Sequence, residues 1–120
     1  MLKKTFLAVG ILIVVIFVAL VIFVFQTKSY SPESDSNFRD GTLKITVFYN
    51  RPYKKGRVIF GGLVPYGKTW RTGANEATMF ETNQDLVIGD KKLAAGKYSL
   101  WTVPNENSWT VVFNSNIPSW

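Results

Sequence analysis

Twenty consecutive residues from Phe6 to Phe25 (FLAVGILIVVIFVALVIFVF) carry no charge and no proline, with Gly10 as the single break in their apolar bulk. As a helix rising ~1.5 Å per residue, this run extends ~30 Å, the thickness of a bilayer's hydrocarbon core. The sequence that remains is too short to build an interior enclosing such a helix on every side. The run is therefore read as a transmembrane helix, with the lipid bilayer as its partner. A cleavable export signal is the competing reading, but its apolar region spans ~7–15 residues and ends at a small-residue A-x-A site. This run is longer, Gln26-Thr27-Lys28-Ser29-Tyr30 shows no such site, and the absence of cysteine removes lipid modification at a thiol. An uncleaved signal-anchor is expected. Lys3 and Lys4 flank one side, Lys28 and Arg39 the other, so the basic-residue bias is nearly balanced. The expected orientation leaves the short amino terminus in the cytoplasm and exports the rest, to periplasm or cell exterior.

Four segments follow: a basic terminus (1–5), the membrane helix (6–25), a polar tether (26–40) centred on Ser31–Asn37 (SPESDSN), and a domain (41–120). About 80 residues suffice for one domain with a modest core. The chain holds 14 Lys+Arg and 8 Asp+Glu; setting aside Lys3 and Lys4 leaves 12 against 8, a net +4. A basic exported domain suits anionic headgroups or acidic ligands. No groove-reading element is present, so nucleic acid is not an expected partner. Without cysteine, disulfides are excluded and packing with backbone pairing must hold the fold.

Beyond the helix the apolar period is that of strands. Thr42–Tyr49 (TLKITVFY) puts Leu43, Ile45, Val47 and Tyr49 on one face and Lys44 and Thr46 on the other. Arg57–Phe60 is a short run closed by Gly61-Gly62, and Ala77–Thr82 is β-branched and aromatic. Asp85–Ile88 and Lys91–Leu93 flank Gly89-Asp90, a hairpin signature. Lys97–Val103 and Trp109–Asn114 flank a five-residue turn, Pro104 to Ser108. The pattern predicts an all-β domain, a small antiparallel β-sandwich or barrel-like fold, with no helix longer than about two turns. Leu43, Ile45, Val47, Leu100, Val111 and Phe113 are expected among the most buried side chains. Tyr98, Trp101, Trp109 and Phe113 are expected to pack in the core. A sheet ending near Trp120 would leave one edge bare, to be covered by another chain or by sequence lying beyond this copy.

The blocks KGRVIFGGLVPYG, WRTGANEAT and AGKYSL, within Arg51–Thr82 and Lys91–Asn114, closely resemble the bacterial family called domain of unknown function 2911. The similarity runs from about Thr42 to Trp120. It implies an exported or membrane-attached β-rich domain, and a family pattern that continues past Trp120, so that this copy is expected to be C-terminally incomplete. It implies no catalytic residues.

With neither histidine nor cysteine, the commonest general base and the thiol nucleophile are both missing. Glu76, Glu81, Asp85 and Asp90 show no metal-ligand spacing, no serine lies in a G-x-S-x-G elbow, and Gly61-Gly62 lacks the G-K-[ST] ending of a phosphate loop. No cofactor, metal site or catalytic set is expected. The densest polar block is Trp70-Arg71-Thr72-Gly73-Ala74-Asn75-Glu76, read as a glycine-containing loop between strands. An aromatic face, a guanidinium, an amide and a carboxylate together suit a small polar or acidic ligand. Trp70, Arg71, Asn75 and Glu76 are the expected contacts, with Arg51 and Arg57 as secondary partners for an acidic group. The same block also reads as architecture, the slightly favoured reading, with Trp70 plugging the domain and Arg71 paired to Glu76 or capping carbonyls. Two function classes stay open: a ligand-binding module of the cell envelope, or one binding an envelope protein, and, alternatively, an enzyme acting on an envelope substrate through Glu76 and Arg71.

Overall fold

A computed structural model describes residues 2–118, so Met1, Ser119 and Trp120, the last two closing the expected domain, lie outside it. The chain divides into two units, Met1–Tyr30 and Ser31–Trp120. The first is helix α1 (Leu2–Ser29), 28 residues and ~42 Å long. It outruns the apolar stretch at both ends because Lys3, Lys4 and Gln26 are good helix formers. In its last turn the Thr27 hydroxyl donates to Val24 O (2.8 Å) and the Ser29 hydroxyl to Gln26 O (2.7 Å). Lys28 in that turn complements the negative end of the helix dipole. This is one helix long and apolar enough to cross a membrane.

The second unit is all-β and antiparallel. Its strands are β1 (Glu33–Asp40), β2 (Leu43–Asn50), β3 (Trp70–Arg71), β4 (Met79–Thr82), β5 (Leu86–Ile88), β6 (Lys91–Leu93), β7 (Gly96–Pro104) and β8 (Trp109–Asn114). One sheet runs β1-β2-β4-β7-β8, and β3 shares with β4 the edge of β7 opposite β8. Strands β5 and β6 form a separate two-stranded ribbon. Its turn needs only Gly89 in the left-handed region (φ 63°), as a type II′ hairpin does.

Register assigns the faces. Directly opposed residues of an antiparallel pair share a side of the sheet, so Ile45 and Val47 sit with Thr82 and Phe80, Phe80 with Tyr98, and Leu100 with Phe113. Phe113 packs edge-on against Phe80 (centroids 4.9 Å apart) and Tyr98 (6.3 Å) on this apolar face. The opposite face carries Lys44, Thr46, Glu81 and Lys97, with a Lys97–Glu81 ion pair at 3.2 Å. The segment between β2 and β3 folds over the apolar face, placing Phe60 edge-on to Trp109 at 4.7 Å.

The structure corrects four expectations. Residues 33–40, expected within a flexible tether, form β1 across the full length of β2, from Glu33↔Asn50 to Asp40↔Leu43. Backbone pairing, not apolar burial, makes this strand, and its charges suit an exposed edge. Arg57–Phe60 forms no strand; Val64 N to Ile59 O (2.8 Å) and Leu63 N to Val58 O (3.1 Å) curl it into turns. Trp70-Arg71, expected in a loop, is strand β3. Val111, expected in the core, is 49% exposed, while Leu43, Ile45, Val47, Leu100 and Phe113 are half-buried. Alternation reports which side of a sheet a residue takes, not what covers that side.

The most buried side chains are instead largely polar: Asn50, Thr78, Thr82, Ser99 and Thr102 are all at or below 6% exposure, beside Val64 at 8%. The hydroxyls among them hold the loops. The Thr82 hydroxyl donates to Gln84 O (2.8 Å), that of Ser99 to Asn116 O (2.8 Å), and that of Thr78 to Thr72 O. Thr102 accepts from the Thr72 hydroxyl at 3.4 Å.

Candidate functional site

The stretch from Trp70 to Thr78 is built by two backbone excursions. Gly73 (φ 98°) and Asn75 (φ 54°) both take positive φ, reversing the chain between β3 and β4. A side chain at Gly73 would meet the Thr78 hydroxyl at 2.9 Å and Asn50 O at 3.2 Å, so glycine lets the turn lie directly on the buried polar row. Asn50 Nδ2 donates to Glu76 Oε2 at 3.2 Å, closing the turn from beneath.

On the other side of this turn lies a cleft of about 410 Å³. One wall is Trp70, Arg71 and the Thr72–Ala74 backbone, with Thr102 and Trp109 from β7 and β8. The facing wall comes from the segment after β2, with Tyr53, Lys54, Arg57, Phe60 and Leu63 among its residues. Three cationic residues line the cleft, Lys54, Arg57 and Arg71, and no acidic residue does. Arg57 is fixed at the rim: its Nε donates to Lys54 O (3.1 Å) and its Nη2 to Tyr53 O (2.8 Å), while its own amide also reaches Lys54 O (3.1 Å). These bonds shape the 53–57 turn with neutral acceptors and leave the guanidinium charge without an acidic partner among the described residues.

Of the six residues singled out from the sequence, the cleft unites Trp70, Arg71 and Arg57. Asn75, Glu76 and Arg51 are not among its lining residues. Asn75 serves the turn through its left-handed backbone, Glu76 accepts from Asn50, and the Arg51 amide donates to Pro32 O at 3.0 Å. Sequence reasoning missed Tyr53, Lys54, Phe60 and Trp109. Strand alternation predicts Trp109 in the core, yet it is 46% exposed on the edge strand β8. A signal for the facing wall was available: residues 51–71 hold six Lys+Arg and no Asp or Glu.

No curated protein and no solved structure shows significant similarity to the chain. A family model described as "Protein of unknown function (DUF2911)" matches residues 31–120, the whole β unit. The match takes in both walls of the cleft and three quarters of the sequence, and the chain therefore belongs to the DUF2911 family.

Proposed function

We propose that this protein is a membrane-anchored module of the cell envelope whose exported β-domain binds a small ligand in the cleft between residues 53–63 and the Trp70–Ala74 wall. The observation that carries this reading is the convergence in one cleft of aromatic rings from separate parts of the chain, Tyr53, Phe60, Trp70 and Trp109, with polar and charged side chains between them. Flat apolar surfaces with a few fixed polar groups are the general chemistry of small-molecule sites. A volume of about 410 Å³ lies in the range of small-molecule sites. Helix α1 supports the anchoring half of the reading, being uncharged from Thr5 to Thr27.

The test is a thermal-shift screen of the full chain in zwitterionic lipid nanodiscs against envelope sugars and short peptides. A binder of this cleft raises Tm in the native chain and in Trp70→Phe, which keeps a flat ring, and loses that effect in Trp70→Ala. A shift that survives Trp70→Ala, in a variant with native circular dichroism, places binding elsewhere and refutes the assignment.

A further inference from the structure

We infer that the ligand of this cleft is a small organic anion, a carboxylate or phosphate monoester carried on a ring or other flat apolar body; the inference rests on the cleft being a ligand site. Charge in the β unit is sharply segregated. Residues 51–71 contribute six Lys+Arg and no Asp or Glu, whereas the rest of residues 31–120 holds five Lys+Arg against eight Asp+Glu, a net of −3. The fold turns that local excess into a lining. Lys54 and Arg57 line the same cleft, Arg71 borders it from β3, and none of its lining residues is acidic.

Two of these cations are uncompensated in ways that favour an incoming anion. Lys54 makes no ion pair or side-chain hydrogen bond among the described residues. Arg57 spends two donors on backbone carbonyls, which fixes the guanidinium without neutralising it and leaves further N–H groups for a ligand. A cation held in place before binding loses little freedom when it pairs. Like charges gathered around a concave apolar wall repel one another, and an anion relieves that repulsion while gaining charge-assisted hydrogen bonds. The aromatic rings Trp70 and Trp109 supply the surface for the ligand's uncharged body.

The experiment titrates the full chain, in phosphatidylcholine nanodiscs, with four matched ring compounds: phenyl phosphate, benzoate, neutral benzamide and cationic benzamidine. Tryptophan fluorescence reads binding, since Trp70 and Trp109 line the cleft. Phenyl phosphate and benzoate should saturate, should bind at least about tenfold more tightly than benzamide, and should weaken as salt rises. Benzamidine should not bind. Lys54→Gln should weaken the anions by about tenfold. Lys68→Gln removes the same charge from the same basic segment outside the cleft and should change affinity by less than about twofold. Equal affinity for benzamide and benzoate, both lost in Trp70→Ala, would overturn the anion inference while leaving the ligand cleft in place. Equal losses in Lys54→Gln and Lys68→Gln would overturn it in favour of diffuse charge attraction. Binding to nanodiscs containing phosphatidylglycerol with none to the soluble anions would mark the basic segment as a lipid-contacting surface instead. Saturable binding of none of the four would overturn the anion inference and leave the ligand cleft to the screen with sugars and peptides.

Discussion

Replacing Gly73 by alanine probes the turn on which the cleft wall stands. Gly73 sits at φ 98°, outside the regions an L-residue occupies comfortably, and holding alanine there costs roughly 1–3 kcal/mol. The added methyl would lie 2.9 Å from the Thr78 hydroxyl and 3.2 Å from Asn50 O. Thr78 is only 3% exposed and its hydroxyl is engaged by Thr72 O, so it has nowhere to retreat without giving up that bond, worth about 0.5–1.5 kcal/mol. Alanine also stiffens the unfolded chain, which returns about 0.4–1 kcal/mol. The net expectation is a loss of about 2–3 kcal/mol. Gly89 provides the control, with positive φ (63°) but nothing within 4 Å of its notional Cβ. Gly89→Ala should cost about 0.5–1 kcal/mol, the backbone strain less the same unfolded-state return.

Both variants are measured by urea unfolding of the full chain in zwitterionic micelles, followed by tryptophan fluorescence. A double-mutant cycle then isolates the contact. In a Thr78→Ala background the hydroxyl is gone, and Gly73→Ala should become cheaper by about 0.5–1.5 kcal/mol. If Gly73→Ala and Gly89→Ala agree within about 0.5 kcal/mol, or if the cycle closes without coupling, the close approach of the turn to the buried polar row is not what requires glycine.

Leu100→Ala should destabilise by about 1–2 kcal/mol in the same assay, below the ~2–5 of a fully buried leucine, because Leu100 is half-buried opposite Phe113. A loss above about 3 kcal/mol would mean that more packs on this face than the described residues provide. Lys97→Ala should cost less than about 0.5 kcal/mol, since its 3.2 Å pair with Glu81 joins two half-exposed side chains; a larger loss would show that the pair organises the polar face. The intact protein should sediment with membranes and resist carbonate extraction, and amino-terminal sequencing should recover residues of α1; a mature chain beginning near Lys28 would show α1 to be a removed signal.

Strands that combine alternation with marked turns were legible in the sequence. Lys91–Leu93 and Trp109–Asn114 appear in the structure with the expected limits, the first arm of the Gly89-Asp90 hairpin starts one residue later than expected, at Leu86, and Gly96–Pro104 differs from expectation by one residue at each end. Strand β1 was not legible, because ESDSNFRD offers no apolar period and is extended only by its pairing with β2. A strand stabilised from one side by backbone hydrogen bonds leaves no mark that hydrophobic patterning can read. Its charges mark the edge position instead, where they oppose pairing with other chains.

The candidate site divides along the same line. The Trp70–Glu76 block was recognisable because its unusual composition is local, and its glycine does make the turn. That only Trp70 and Arg71 of the four primary candidates line the cleft follows from where that turn points, which depends on Asn50, 26 residues before Glu76, as well as on nearby Thr78. The opposite wall is a tertiary matter as well: Tyr53, Lys54 and Phe60 acquire meaning only once the segment after β2 folds back over β7 and β8. Trp109 shows the limit most directly. Its place in an alternating strand correctly puts it on the apolar face, opposite Pro104 and in line with Thr102 and Val111, yet it lies at the sheet's open edge, where Phe60 covers one part of the ring and the cleft meets another. The residues most useful to a binding site are apolar side chains that the fold leaves partly uncovered. Periodicity identifies such side chains as apolar, but only the long-range path of the chain decides which of them stay uncovered.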